Sequence, residues 1–372
     1  MNKAKALEAL RKSVLADIKG GMSSIDEQRP IQVMSTGILT VDHSLGVGGL
    51  ARGALHMVYG RPGGGKTAFC LMAIADKMRR DPDAVVAWLD VERTLRKEWV
   101  VAFGIDPARL QMFYPATTEE TVNLFQDTIR AGLFDYVVVD SLGAVARSVE
   151  VEGKKGDGGD AGTQVMSGSS GLISRMVRVG NAELTKLYRE VSVGDDKVEP
   201  VVLLVNQVRA DFGSTYAGAL TFSGGYALEH MMSTIIRVQA SGAKTDTLMG
   251  TDTTGKQVKV GSLVSAVTEK NKLAPSPRSA SYFFCYQDCE EHSFGVDTMR
   301  AIVDLSVVYG FITQSGPWYY YEFGEKEKFQ GINAIIEWLK SHPKVQDELR
   351  ERVLAVVRKE LVNTRIVDEA SA

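Results

Sequence analysis

The residues with the plainest chemistry are Gly60-Arg61-Pro62-Gly63-Gly64-Gly65-Lys66-Thr67. A glycine, four free positions and then Gly-Lys-Thr is the spacing of a loop that wraps phosphate oxygens in backbone N–H groups. Glycine suits the approach because a Cβ would stand between backbone and phosphate. Lys66 supplies a point charge for the β- and γ-phosphates, and the Thr67 hydroxyl is a ligand for Mg²⁺. The flanks fit. Residues 54–59 read as a short apolar strand, and residues 68–77 as a helix. Its N-terminus, with Ala68 in the first turn, then faces the phosphates with its positive end.

Other candidate groups stand at the ends of apolar runs, where open α/β sheets bind ligands. Tyr136-Val137-Val138-Val139 ends in Asp140-Ser141, and Asp140 in that position holds Mg²⁺ directly or through water. Trp88-Leu89 is followed by Asp90-Val91-Glu92. Glu92 is placed to orient and deprotonate a water for attack on the γ-phosphate; the lesser alternative is that Glu92 or Asp90 merely caps the next helix. Trp99 can stack on a base or pack in a core. Asn206-Gln207 ends the run Val201–Val205. An amide there can sense the γ-phosphate and pass its loss to the segment starting at Arg209, or it can satisfy local backbone. Cys285, Cys289 and His292 suggest zinc, but no fourth ligand lies nearby and the metal reading is rejected.

These groups need a scaffold. Continuous Val/Leu runs at 85–89, 136–139 and 201–205 predict strands buried on both faces, as in a parallel sheet. Helices are expected near 68–79, 117–131 and 172–190. Two stretches read as loops: 152–171, crowded with glycine, and 209–225. Loops this long in a compact domain are usually functional or disordered. Residues 3–19 carry Ala6, Leu7, Leu10, Val14, Leu15 and Ile18 on one helical stripe, closed by Gly20-Gly21. That stripe must bury itself either on its own domain or on a neighbouring subunit. Helices at 298–308 and 332–339 flank an aromatic hairpin at Trp318–Tyr321.

Composition narrows the class. The chain has 372 residues, too many for one small core, so a large domain and a smaller one are expected. A formal net charge of −3 gives no global pull on nucleic acid, so anion binding has to come from local patches. No run is long and apolar enough to span a membrane. The first residues are charged and mixed rather than signal-like. Three cysteines suit a reducing cytoplasm.

Taken together, the motifs resemble the bacterial RecA recombinase family, in the manner of a phage-encoded or divergent member, from about residue 5 to 360. Ser35-Thr36-Gly37 with Asp42, then Leu45-Gly46-Val47-Gly48-Gly49-Leu50, match the approach to the phosphate loop. Val137–Ser141, Val205-Asn206-Gln207-Val208-Arg209, Gly224-Gly225-Tyr226-Ala227-Leu228 and Lys270-Asn271-Lys272-Leu273-Ala274-Pro275 match as well. The last two are far more specific than a phosphate loop.

The resemblance implies a RecA-like P-loop ATPase core, α/β with a mostly parallel central sheet flanked by helices. It also implies an N-terminal helical arm and a small α+β C-terminal domain. The divisions are 1–36 for arm and linker, 37–289 for the core, 290–360 for the C-terminal domain and 361–372 for a flexible tail. ATP and Mg²⁺ are the implied cofactors. Glu92 would be the catalytic carboxylate and Gln207 the γ-phosphate sensor. Lys270 and Lys272 would reach the neighbouring subunit's ATP. Arg175 and Arg209, with Ser223, Gly224 and Gly225, would contact DNA phosphates, and the stripe of residues 3–19 would be the polymerisation arm. The implied partners are single-stranded DNA, homologous duplex DNA, further copies of the chain in helical filaments or rings, and single-strand-binding or loader proteins. The implied activity is DNA-stimulated ATP hydrolysis coupled to strand exchange, the rivals being a hexameric helicase and a non-catalytic DNA-coating filament.

Departures are visible too. The first loop looks long and carries Lys154 and Lys155. Trp99 replaces a usual tyrosine. Arg96 lies near a position usually acidic, which implies relaxed base selectivity. Val191–Glu199 reads as an insertion, and the tail is only mildly acidic at Asp368 and Glu369.

Overall fold

A computed structural model describes the chain except residues 1–2, 23, 25–27, 146–160, 211–219, 223–224, 253, 277, 291, 322–326, 363–365 and 369–372. At 161–170, 209–210, 220–222, 225–227, 358–362 and 366–368 it describes the backbone alone. In chain order the strands are β1 (Ile31–Met34), β2 (Leu50–Ala51), β3 (Ala54–Gly60), β4 (Val86–Asp90), β5 (Leu110–Phe113), β6 (Tyr136–Asp140), β7 (Val201–Ala210), β8 (Leu220–Phe222) and β9 (Thr234–Ala240). They continue as β10 (Thr247–Thr251), β11 (Gln257–Asn271), β12 (Arg278–Cys285), β13 (Gly295–Val296), β14 (Ile312–Ser315), β15 (Trp318–Tyr321), β16 (Glu327–Gln330) and β17 (Ile366–Asp368).

The main sheet runs β13-β12-β11-β9-β3-β7-β6-β4-β5. From β9 to β5 the pairs are parallel, while β11, β12 and β13 add an antiparallel flank. The Val/Leu runs are explained by two apolar clusters, one on each face. Val58, Val138 and Val205 meet Phe69, Leu71 and Ile74 of the helix Lys66–Arg80. Met57, Val137, Val139 and Leu204 meet Phe125 and Ile129 of the helix Thr118–Ala131, and Met176, Leu184 and Leu187 of the helix Ala161–Ser192. Strands covered on both faces have no polar alternation to show.

The helix Ala161–Ser192 begins ten residues before the end of the expected 152–171 loop. Its glycines argue locally for a loop. Gly180 lies so close to Phe125 that a Cβ would come within 2.4 Å of its ring. Glu183 is anchored on the same interface. Burial raises its pKa, but hydrogen bonds from Lys186, Arg130 and Gln126 outweigh that and hold it down to about 2. The expected 209–225 loop is also shorter than its sequence suggests. Arg209 and Ala210 continue β7 and pair with β8, and Gly225 opens a helix to Met231. Residues 191–199 fold back on the core, where Val198 N donates to Gly132 O at 2.8 Å.

The C-terminal region has its own core, built on helices Thr298–Val308, Ile332–Ser341 and Pro343–Val362. The stretch expected as an aromatic hairpin, Trp318–Tyr321, is instead a single strand, the centre of a three-stranded antiparallel sheet β14-β15-β16. Tyr319 and Tyr321 point inward, while Lys328 lies over the outer rings of Trp318 and Tyr320. The tail differs from expectation as well. The last helix runs to Val362, and β17 pairs in parallel with β1. At the other end, the helix Lys3–Asp17 buries no residue. Leu7 is 57%, Leu10 54% and Ile18 45% exposed.

The Ser35-Thr36-Gly37/Asp42 motif has a physical role. Asp42, buried, accepts hydrogen bonds from Ser35 Oγ at 2.6 Å, Thr36 N at 2.8 Å and Thr36 Oγ1 at 2.7 Å. Burial pushes its pKa from 3.8 to about 7, against the pull of those bonds. A carboxyl raised on folding stabilises the fold below its unfolded pKa and loses that contribution as pH rises through the folded one. Asp42→Asn keeps the Oδ1 acceptor and cannot ionise. Its melting temperature relative to wild type should therefore rise progressively between about pH 4 and about pH 7. A difference that stays constant over that range would clear Asp42 as the source.

Candidate nucleotide site

The register of the parallel strands brings the sequence motifs to one rim. Gly60 stands opposite Gln207, Asp140 opposite Val205, and Asp90 opposite Asp140. The phosphate loop leaves β3 at Gly60, where a Cβ would come within 2.1 Å of Val238 O, so only glycine lets the chain pass β9. Gly65, at φ +95°, turns the loop into the helix Lys66–Arg80, and its carbonyl accepts Phe69 N at 2.9 Å. This leaves Gly63, Gly64, Gly65, Lys66, Thr67 and Ala68 lining a cavity of about 350 Å³.

Lys66 is buried, with Nζ donating to Arg61 O at 2.9 Å. Burial pulls its pKa below the ordinary value, partly offset by Asp140 and Glu92. Thr67 Oγ1 donates to Asp140 Oδ2 at 2.9 Å. Burial pushes Asp140 up to about 6; the Thr67 hydrogen bond opposes this, and the charges of Glu92 and Asp90 add to it. A buried carboxylate beside a hydroxyl at the phosphate loop is a hard-oxygen donor pair that suits Mg²⁺, which takes few protein ligands and keeps several waters. The residues therefore fit that ion.

The two acids after β4 separate by role. Asp90 accepts Thr94 N at 3.2 Å and Leu95 N at 3.0 Å, so it caps the turn. Glu92 does not. Its Oε1 accepts Gln207 Nε2 at 2.8 Å and the Ser141 hydroxyl. Asn206, buried, turns the other way and its Oδ1 accepts Gln207 N at 2.9 Å. Trp99 is half exposed. It lines the cavity and also stacks on Phe103, 6.0 Å between ring centroids.

The sequence reading overlooked the far wall of the cavity: Ala240, Ser262, Val264, Phe284 and Tyr286. Tyr286 OH donates to Ser262 Oγ at 2.7 Å. These residues come from β9, β11, the end of β12 and the residue just after it. The available signal was the apolar run Tyr282-Phe283-Phe284-Cys285-Tyr286, while β11 mixes polar and apolar residues.

The other expected residues lie elsewhere. Lys270 Nζ donates to Glu229 O at 2.5 Å and His230 O at 3.2 Å, and Lys272 Nζ to Met231 O at 3.4 Å. Both lysines thus cap the carbonyl end of the helix Gly225–Met231, where cations are favoured. Arg175 is exposed on the helix Ala161–Ser192. The backbone of Arg209 pairs with Thr221. Gly225 begins the helix that follows, and Ser223 and Gly224 lie outside the described residues.

A glycine-lined cradle at the carboxyl rim of a mostly parallel sheet, with Lys66, Thr67 and Asp140 converging on it, defines a P-loop α/β protein. The chain matches the RecA N-terminal domain over residues 5–289 and the RecA C-terminal domain over residues 300–358, and it belongs to the RecA family. It is 30% identical over 340 residues to Protein RecA of Symbiobacterium thermophilum, covering 90% of this chain and 87% of that one. To Protein RecA of Francisella philomiragia it is 28% identical over 361 residues, covering 96% and 90%. To that of Thermotoga neapolitana it is 28% identical over 328 residues, covering 87% and 84%. No helix among the described residues is long and apolar enough to cross a membrane.

Proposed function

We propose that this chain is an ATP-dependent recombinase of the cytoplasm that polymerises on single-stranded DNA, hydrolyses ATP when so bound, and exchanges strands with homologous duplex. The observation that carries the reading is the Glu92–Gln207 hydrogen bond. It ties the candidate base to the strand that runs on through Arg209, so events at the γ-phosphate reach the segment assigned to DNA. Residues 1–36 serve as assembly arm, 37–289 as ATPase core and 290–360 as a small C-terminal domain.

In this mechanism the loop amides and Lys66 hold the phosphates, with Trp99 beside the base. Glu92 orients a water whose oxygen bonds to the γ-phosphorus as the bond to the β-bridging oxygen breaks. The water's proton passes to the Glu92 carboxylate. Thr67 and Asp140 would hold Mg²⁺, which would supply positive charge to the phosphate oxygens. When the γ-phosphate is present it competes with Glu92 for the Gln207 amide. Lys270 and Lys272 leave their helix end for the neighbour's nucleotide, so that binding stiffens the polymer. Loader or single-strand-binding proteins act on that polymer. Sequence is read by base pairing, since the protein contacts mainly backbone.

The test is ATP turnover with and without single-stranded DNA, alongside electron microscopy of the complexes. Turnover indifferent to DNA, or closed rings that unwind duplex, would sink the reading. Arg175→Ala supplies a second check. Because phosphate contacts carry no base information, affinity should fall alike for two unrelated oligonucleotides. The slope of log affinity against log salt should flatten by about 0.7 for one lost contact. Fluorescence anisotropy across a salt series measures both, and an unchanged slope removes Arg175 from the DNA path.

A further inference from the structure

Strand β11 breaks its own alternation immediately before Lys270. Val264, Ala266 and Thr268 are buried at every second position, with Val264 and Ala266 in the cluster that contains Phe69 and Ile74. Against β9, Val267 pairs with Arg237 and Thr268 with Ile236, but the next pair is Lys270 with Ile235. Glu269 is the extra residue of a β-bulge, a device that re-aims the side chains beyond it. Under strict alternation Lys270 would follow Thr268. Instead its Nζ reaches the carbonyl end of the helix Gly225–Met231, whose Leu228 belongs to the opposite cluster.

Glu269 is held at both oxygens. Oε2 accepts the Tyr59 hydroxyl, and Oε1 accepts Arg237 Nε at 2.7 Å. Tyr59 and Arg237 are themselves register partners on β3 and β9. The Arg237 and Glu269 side chains are each 37% exposed, so their ion pair alone is weak. Tyr59 is 7% exposed and immediately precedes Gly60 of the phosphate loop, which makes it the fixed point of the group.

We propose that Tyr59, Glu269 and Arg237 brace the bulge that aims Lys270, and so link a subunit's own phosphate loop to the lysine it offers its neighbour. They are positioning residues. The inference rests on the reading of Lys270 as acting on the next subunit's nucleotide. It assigns to three side chains a role that neither the phosphate loop nor the lysine motif contains.

The test uses the full chain with Tyr59→Phe, Glu269→Gln, Lys270→Ala and the double variant Tyr59→Phe/Lys270→Ala. DNA-stimulated turnover should fall about tenfold in Tyr59→Phe and in Glu269→Gln, a loss within the range of coupling effects. Affinity of the free Glu269→Gln subunit for a fluorescent ATP analogue should stay within about twofold of wild type, since the lost interaction acts across the interface. The double variant should be no slower than Lys270→Ala alone, because Tyr59 acts through Lys270. Defects that multiply in the double variant would show a separate structural role and overturn the brace. Normal turnover in Tyr59→Phe and Glu269→Gln, with Lys270→Ala slow, would overturn the brace and leave the lysine reading intact. Normal turnover in Lys270→Ala would overturn the lysine reading, and the brace with it.

Discussion

Glu92→Gln should bind ATP with nearly wild-type affinity and hydrolyse it about a hundredfold to ten-thousandfold more slowly, the usual contribution of a positioned base. The substitution is conservative where it matters. Glu92 Oε1 is the atom that accepts from Gln207 Nε2 and from the Ser141 hydroxyl, and glutamine retains an oxygen there. It loses only the capacity to take a proton. Nucleotide-dependent filaments on single-stranded DNA should therefore form and outlast those of wild type. Lys66→Ala should behave differently. Its ammonium is buried beside the loop carbonyl of Arg61, so its removal deletes the main point charge on the phosphates and weakens binding itself. Phosphate release at saturating ATP, paired with an equilibrium binding curve, separates the two. Wild-type hydrolysis by Glu92→Gln with DNA present would return Glu92 to a purely structural role.

What the sequence made legible follows from which signals are local. β3, β4, β6 and β7 are covered on both faces, and their Val/Leu runs announce them without any tertiary knowledge. The antiparallel flank announces itself less plainly. β11 intersperses Ser262 and Ser265 among its apolar residues, and its alternating burial stops at the bulge at Glu269, so no apolar run marks the wall of the cavity at Ser262. Residues 161–171 read as loop because glycine is a poor helix former, although further along the same helix Gly180 fits closely against Phe125. The choice between Asp90 and Glu92 lay beyond the sequence for a related reason. Both acids follow the same strand, and the decision is made by Thr94 and Leu95 amides on one side and by Gln207, from a distant strand, on the other. The phosphate loop could be identified outright because its chemistry is carried by backbone and by glycine spacing, which no neighbour alters.

Deleting residues 1–20 should abolish long filaments while leaving a folded subunit that binds ATP. The helix Lys3–Asp17 buries none of its residues on its own chain, and a helix of this length is marginal in water without a partner surface. Gly20 approaches the core at Arg189, and the linker beyond it is held further on. Arg29 donates to Ser192 Oγ at 3.0 Å and to Tyr188 O at 3.2 Å, pairs with Glu199 and lies over the Tyr188 ring, and all of this survives the deletion. The main sheet lies wholly downstream, so its clusters lose nothing. Burying Leu7, Leu10 and Ile18 on an adjacent subunit contributes roughly 5 kcal/mol before ordering costs. After those costs about a hundredfold or more in subunit affinity remains, and a polymer incurs that loss at every interface. Circular dichroism should therefore give a wild-type spectrum and a cooperative melt, and light scattering with DNA and a non-hydrolysable ATP analogue should stay near the level of short complexes. Filaments of normal length would mean that the exposed stripe is not the assembly contact, and a collapsed spectrum would mean that the helix belongs to the core after all.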